Sequence, residues 1–161
     1  QYFKGYIDEV RIWNAPPRTQ PQLRANKNVI ITDIDKAQDE GLRFYYRLDS
    51  SDSSKYMSEV GTNDATAHID AADGGGFFSD SDAPISLPNP VSEAMTPPGY
   101  ALEFDGDDDY VMLPEKVWFD GNFTVESWVY IDGDAIENNS RLIDFGNGEK
   151  KAKASESSWI K

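Results

Sequence analysis

The sequence predicts an all-β fold made of short antiparallel strands. Residues 123–131 alternate strictly between two faces, and a period of two lets one face be buried while the other stays polar or aromatic. The apolar face carries Phe123, Val125, Val129 and Ile131, and the other carries Thr124, Glu126, Trp128 and Tyr130. Two further strands, residues 100–104 and 110–113, flank an acidic turn. Short strands separated by Gly, Asp and Asn are typical of an antiparallel sandwich or barrel.

Residues 1–14 form the first predicted strand. Its two alternating faces are Tyr6, Asp8, Val10 and Ile12 on one side and Ile7, Glu9, Arg11 and Trp13 on the other. Because neither face is cleanly polar, we expect the strand to be covered on both sides. The strand should end at Pro16 and Pro17, since proline cannot donate a hydrogen bond to a sheet.

A short helix, a connection and further strands follow. Thr19 is a candidate N-cap with Gln22 three residues later and Pro21 in the first turn, which predicts a helix over residues 19–26. Leu23 would be its main buried contact. Residues 28–41 are polar and connecting. The other predicted strands are residues 42–49, 63–69 and 141–145, with a short extended piece at residues 83–87.

Composition restricts the possible functions. The 161 residues include 29 Asp and Glu against 15 Lys and Arg, a formal net charge of −14. Such a surface repels phosphate backbones and anionic lipid headgroups, so we expect no nucleic-acid partner. No apolar stretch is long enough to predict membrane insertion. The absence of cysteine excludes disulfides, thiol catalysis and zinc–thiolate sites.

Several stretches of the chain carry a family resemblance. They are FKGYIDEVRIWN (residues 3–14), GLRFYYRLD (41–49), YALEFDGDDDYVMLP (100–114), FTVESWVYI (123–131) and RLIDFGNG (141–148). The chain resembles the concanavalin A-like jelly-roll domains related to laminin G, as found in large bacterial secreted proteins. The resemblance implies an antiparallel jelly-roll β-sandwich, with IDEVRIWN and LEFDGDDDYV as its most specific stretches.

The order of these stretches is unusual, because IDEVRIWN resembles the last strand of that family and yet comes first here. We therefore expect the junction of two tandem copies. Residues 1–27 would be the last strand and short helix of one domain, and residues 28–41 would be the linker. Residues 42–149 would be the first part of an incomplete second domain, and residues 150–161 would be an unassigned tail. A permuted domain that closes on itself is the alternative. The strand at residues 1–14 could pair with the one at 42–49 or with a domain outside this chain.

The resemblance also implies a structural calcium. Asp8 is the position that often contributes a ligand in this family, and Asp49 and Asp64 are further candidate ligands. Calcium binds six to eight oxygens from carboxylates and carbonyls, which these residue types can supply. The sequence departs from the family near Asp64, because residues 58–61 replace the usual Asp-Ser-Ser-Gly-Asn pattern.

The acidic turn at residues 105–109 is a weaker calcium candidate by its spacing. It is not an EF-hand, because Tyr110 stands where glycine is required and Lys116 where the bidentate Glu should be. We expect a hairpin turn there, since Asp and Gly tolerate positive φ.

No catalytic constellation is evident, and we expect no enzymatic activity. Laminarinase-like jelly-rolls hold two carboxylates on one strand face, about 5 Å apart for a retaining mechanism. The nearest candidates, Glu103 and Asp105, run into a glycine turn, and Glu126 stands alone on its strand. His68 is the single histidine, and no serine lies in a nucleophile elbow.

Aromatic residues indicate a candidate ligand surface. Trp128 and Tyr130 share the non-core face of their strand with Glu126, and sugars stack on aromatic rings and hydrogen-bond to carboxylates. The alternative is that this face packs against a second sheet or a loop.

Together these features predict a non-catalytic adhesion or glycan-binding module of a large secreted or cell-surface bacterial protein. Its partners would be a glycan or a cell-surface protein, and neighbouring domains of the same polypeptide. The alternatives are an accessory carbohydrate-binding domain of a carbohydrate-active enzyme and a purely structural stalk repeat. The expected location is extracellular or at the cell surface.

Overall fold

A computed structural model describes residues 3–14, 16–48, 58–61, 64–68, 78–80, 100–115, 121–131 and 140–145. Its elements are β1 (Lys4–Trp13), α1 (Gln20–Asn26), α2 (Ile34–Asp39), β2 (Leu42–Tyr46), β3 (Thr66–His68), β4 (Phe78–Asp80), β5 (Tyr100–Asp105), β6 (Tyr110–Met112) and β7 (Thr124–Ile131). This part of the chain is mostly β, its strand pairs are antiparallel and its two helices are short. The predicted all-β class is therefore confirmed. Within these ranges, neither helix is long and apolar enough to cross a membrane.

Strand β1 is the centre of the main sheet. Strand β7 runs along one of its edges, while β5 and β2 share the other edge, and β4 extends the sheet beyond β5. Strands β3 and β6 form a separate two-stranded sheet. Pairing of β1 with β2 is one of the two pairings that the sequence left open. The division of the chain into parts of two domains stays a prediction.

A β-bulge interrupts β1 in the middle. Asp8 lies opposite Trp128 and Arg11 lies opposite Glu126, so Glu9 and Val10 together face one residue of β7. Glu9 has φ of 53°, which is unusual for a residue other than glycine. An extra residue reverses the alternation of the strand. The simple alternation predicted for residues 1–14 is therefore wrong beyond Asp8.

The reversal lets both halves of β1 contribute to one core. Ile7 precedes the bulge and Val10 and Ile12 follow it, yet all three belong to the same apolar cluster. The cluster also contains Phe3, Phe44, Tyr46, Leu48, Ala65, Leu102 and Phe104, with Val125 and Val129 of β7 packed against it. The predicted apolar face of β7 is confirmed at Val125 and Val129, whereas Ile131 is exposed.

A second, smaller core lies on the opposite side of the main sheet. Trp13, Leu42 and Tyr45 are buried there with Ala37 of α2 and Val60. Strand β1 is thus covered on both sides, as its mixed faces predicted. Helix α2 lies in the connection where the sequence predicted no element. Asp33 caps it by accepting a hydrogen bond from the Lys36 N–H at 3.1 Å.

The predicted first helix is confirmed, but its packing is not. The Gln22 side-chain oxygen accepts hydrogen bonds from both the backbone N–H and the hydroxyl of Thr19 at 2.8 Å. This is the reciprocal half of a capping box, which holds the first turn of α1. Helix α1 buries none of its side chains, and Leu23 is only half-buried. The expectation that Leu23 is a main buried contact is therefore wrong.

Two other local predictions are also wrong. The acidic turn after β5 does not close a hairpin, because β5 pairs with β1 and β4 whereas β6 pairs with β3 in the other sheet. Residues 141–145 form no strand, although the Phe145 ring packs edge-on against Phe123 with centroids 5.5 Å apart. The predicted extended piece at 83–87, Asp49 and the tail at 150–161 lie outside the described residues.

Candidate functional site

One side of the main sheet carries a continuous row of polar and aromatic side chains. We call this side the polar face; it consists of Glu103 of β5, Tyr6, Asp8 and Arg11 of β1, and Glu126, Trp128 and Tyr130 of β7. These residues share a face because Tyr6 lies opposite both Glu103 and Tyr130 in the sheet, and Arg11 lies opposite Glu126. The polar face has an open end around Tyr130 and a covered end around Arg11.

The open end joins three strands. The Tyr6 hydroxyl donates a hydrogen bond to Glu103 Oε1 at 3.0 Å, and the Tyr6 and Tyr130 ring centroids are 5.8 Å apart. Tyr130 is 64% exposed, while Tyr6 and Glu103 are half-buried. The end therefore offers an exposed aromatic ring beside a hydroxyl and a carboxylate. Tyr6 and Glu103 were not among the predicted site residues, because their position depends on strand register.

The covered end lies beneath the segment that follows α1. Arg11 donates from Nη1 to the Asn26 carbonyl at 2.8 Å and from Nη2 to the Val29 carbonyl at 2.7 Å. The indole N–H of Trp128 donates to the Lys27 carbonyl at 2.7 Å. Two side chains of the sheet thus hold three backbone acceptors, the carbonyls of Asn26, Lys27 and Val29. Trp128 therefore packs against a loop, which was the alternative to ligand binding that we expected for this face.

A buried ionic network lies under this cover. Glu9 Oε2 accepts hydrogen bonds from Arg11 Nη2 and from the Tyr45 hydroxyl, both at 2.6 Å. The Arg11 guanidinium lies over the Tyr45 ring, 5.0 Å from its centroid. Burial raises the pKa of Glu9, against the opposing effects of the Tyr45 hydrogen bond and the Arg11 charge. Burial and the Glu9 charge raise the pKa of Tyr45, so its hydroxyl stays a donor.

Glu126 belongs to the edge of the same network. Its Oε2 lies 4.0 Å from Arg11 Nη1, and its side chain is 13% exposed. Burial raises the pKa of Glu126, and the charges of Arg11 and Arg18 oppose that effect. Of the three predicted ligand-binding residues, Glu126 and Trp128 therefore face the chain itself, and Tyr130 faces solvent.

The structure describes two of the three predicted metal ligands, Asp8 and Asp64. Asp8 is 4% exposed, and its Oδ1 accepts a hydrogen bond from the Glu9 N–H at 2.8 Å. Asp64 Oδ1 accepts from the Ser58 N–H at 3.2 Å. Neither joins a group of three metal-ligating side chains among the residues searched. Because Asp49 lies outside the described residues, the set Asp8, Asp49 and Asp64 stays a prediction.

The acidic turn instead brings three carboxylates together. Oxygens of Asp105, Asp108 and Asp109 all lie within 4.8 Å of one another. Hydrogen bonds shape this turn, since Asp109 accepts from the Asp105 N–H at 2.9 Å and Asp105 accepts from the Asp107 N–H at 2.7 Å. Three carboxylates fit part of the oxygen shell that calcium requires. The sequence indicated this turn only as a weaker calcium candidate, because its spacing is not that of an EF-hand.

Comparisons of the chain with family models, curated proteins and solved structures find no match in any of the three. The resemblance to laminin G-like domains therefore stays a prediction.

Proposed function

We propose that the protein is a non-catalytic glycan-binding module that acts through the open end of its polar face. The observation that supports this proposal is the exposed Tyr130 ring, which lies next to Tyr6 and Glu103 on three paired strands. In this proposal the fold is a laminin G-like jelly-roll at the junction of two tandem copies. The module works in adhesion as part of a large secreted or cell-surface protein, beside neighbouring domains.

Physical chemistry favours a sugar as the ligand of this end. An aromatic face removes the C–H side of a sugar ring from water, and nearby polar groups fix its orientation by hydrogen bonds. Tyr130 supplies the ring, and the hydrogen-bonded pair of Tyr6 and Glu103 supplies both a hydroxyl and a carboxylate. The net charge of −14 favours neutral or basic sugars over acidic ones.

Two other readings share parts of this proposal. An accessory domain of a carbohydrate-active enzyme would bind sugar through the same residues, and the selected glycan would then be a polysaccharide substrate. A structural stalk repeat would bind no sugar.

Replacing Tyr130 with alanine should remove glycan binding. We expect the array signal of the strongest glycan to fall at least about tenfold, because a flat ring stacked on one aromatic side chain contributes roughly 1–3 kcal/mol when the ring is a nucleobase, and we take a sugar to be at the lower end. The measurement is a glycan array with the purified protein, followed by titration of the selected glycan. Tyr110→Ala is the matched control, because Tyr110 is exposed on the other sheet. Equal signals from the parent and Tyr130→Ala proteins would reject the site, and no signal from either would favour the stalk repeat.

We further propose a structural calcium at Asp105, Asp108 and Asp109, the cluster favoured by its three converging carboxylates. These residues would hold the ion, which would neutralise their mutual repulsion and brace the connection between the two sheets.

Calcium should therefore raise the thermal midpoint, and Asp108→Asn should remove that effect. At 100 times the dissociation constant, one site adds about 2.7 kcal/mol to the free energy of unfolding. The measurement is thermal unfolding in millimolar calcium and in chelator. Asp107→Asn is the matched control, because it removes the same charge from the same turn without belonging to the cluster. A midpoint that does not respond to calcium in the parent protein would refute the ion site.

A further inference from the structure

Residues 19–29 form a strap across the covered end of the polar face, and both ends of the strap are anchored. Before it, the Arg18 guanidinium stacks on Trp13 at 3.9 Å and pairs with Glu40 at 3.0 Å, and its backbone N–H donates to Thr124 Oγ1 at 2.9 Å. After it, Ile30 is buried, and the Ile31 N–H approaches the Tyr45 hydroxyl at 3.4 Å. Movement of the strap would leave both anchors in place.

The middle of the strap is held by polar contacts. Helix α1 buries no side chain, so lifting the helix exposes little apolar surface. What binds the strap to the sheet is the set of three hydrogen bonds from Arg11 and Trp128 to backbone carbonyls. The hydroxyl oxygens of a sugar can also accept such hydrogen bonds. The strap therefore occupies donors that a neutral polyhydroxylated ligand could also use.

The strap leaves the polar groups beneath it incompletely satisfied. Arg11 Nε is buried and makes no hydrogen bond, while the buried Trp13 N–H interacts with the Glu126 carboxylate without reaching good hydrogen-bond geometry. Arg11 and Trp13 are 2% and 1% exposed. The backbone strain of Glu9 lies at the same place, and such strain concentrates at functional sites. A buried donor without a partner and a weakly satisfied Trp13–Glu126 pair, next to an exposed aromatic end, favour a binding surface that continues under the strap.

We infer that residues 19–29 are a displaceable strap whose carbonyls compete with a neutral oligosaccharide for Arg11 and Trp128. The inference rests on the proposed glycan function and extends its site from Tyr130 along the polar face. Opening the strap extends the binding surface from Tyr130 to Arg11. A strap that is closed most of the time reduces the apparent affinity to the intrinsic affinity multiplied by the open fraction. Weakening the strap without touching the sheet should therefore strengthen binding.

Limited trypsin digestion measures strap opening directly, because Arg24 and Lys27 lie in the strap and are exposed. Gln22→Ala removes the acceptor that holds Thr19, and we expect cleavage after Arg24 and Lys27 to become about two- to fivefold faster. Trp128→Phe removes one strap hydrogen bond, and we expect about three- to tenfold faster cleavage at the same bonds. Gln38→Ala in α2 and Tyr110→Phe in β6 are the matched controls, and both should cleave at the parent rate.

The same Gln22→Ala protein should give a higher glycan-array signal that still depends on Tyr130. Unchanged cleavage in both Gln22→Ala and Trp128→Phe would overturn the strap. Faster cleavage with an unchanged Tyr130-dependent signal would overturn competition with the ligand. Loss of any Tyr130-dependent signal in parent and variant would instead refute the proposed glycan function and the ligand part of this inference, while the cleavage rates still decide whether the strap opens.

Discussion

Replacing Arg11 with methionine should lower the free energy of unfolding by about 3 kcal/mol, because it leaves the buried Glu9 carboxylate with only the more distant Arg47, whose Nε lies 3.9 Å from Glu9 Oε1. Glu9 is 3% exposed, and its hydrogen bond from Arg11 Nη2 is 2.6 Å long. Methionine matches the length of the arginine stem but supplies no donor. The carbonyls of Asn26 and Val29 also lose their hydrogen bonds, which adds to the loss. Urea unfolding followed by tryptophan fluorescence measures the change.

A second substitution separates the two causes. Glu9→Gln combined with Arg11→Met removes the buried carboxylate charge that Arg47 alone would have to balance, so we expect about 2 kcal/mol of the loss to return. The remaining deficit reports the strap carbonyls. Arg43→Met is the matched control, because Arg43 is an exposed arginine on β2 and should cost less than about 0.5 kcal/mol. A loss below about 1 kcal/mol for Arg11→Met would contradict the buried pair.

Substituting alanine for Gly5 should destabilise the main sheet by about 3 kcal/mol. A Cβ at this position would lie 2.1 Å from the Tyr130 carbonyl oxygen, which belongs to the paired strand β7 and cannot move without breaking the sheet. The φ of 142° adds conformational strain for any residue with a side chain. Overpacking alone costs about 1–3 kcal/mol. The measurement is the denaturant midpoint together with glycan binding, which should weaken because Tyr130 is displaced.

Gly121→Ala is the control that isolates the clash from the backbone strain. Gly121 has φ of 131°, but nothing lies within 4 Å of its Cβ position. We expect Gly121→Ala to cost only the strain, about 1 kcal/mol. If the two alanine variants lose equal stability, the close approach of β1 to Tyr130 is refuted.

The polar face could be predicted only in part. The alternation of β7 placed Glu126, Trp128 and Tyr130 on one face, because that pattern is local. Their different exposures could not be read from it, since they depend on Lys27, Arg11 and the course of the strap. Tyr6 and Glu103 are 97 residues apart in sequence and meet only through strand register. No signal within either segment indicates that contact.

The sequence by itself determined the all-β class, the approximate positions of most strands and the capped start of α1. These follow from interactions between residues a few positions apart, which side-chain spacing records directly. Only the tertiary structure decided the bulge at Glu9, the connection of the acidic turn to a second sheet and the cover over Arg11. Each of these depends on which distant strand or loop supplies the opposite partner, and that choice is set by packing across the whole sheet.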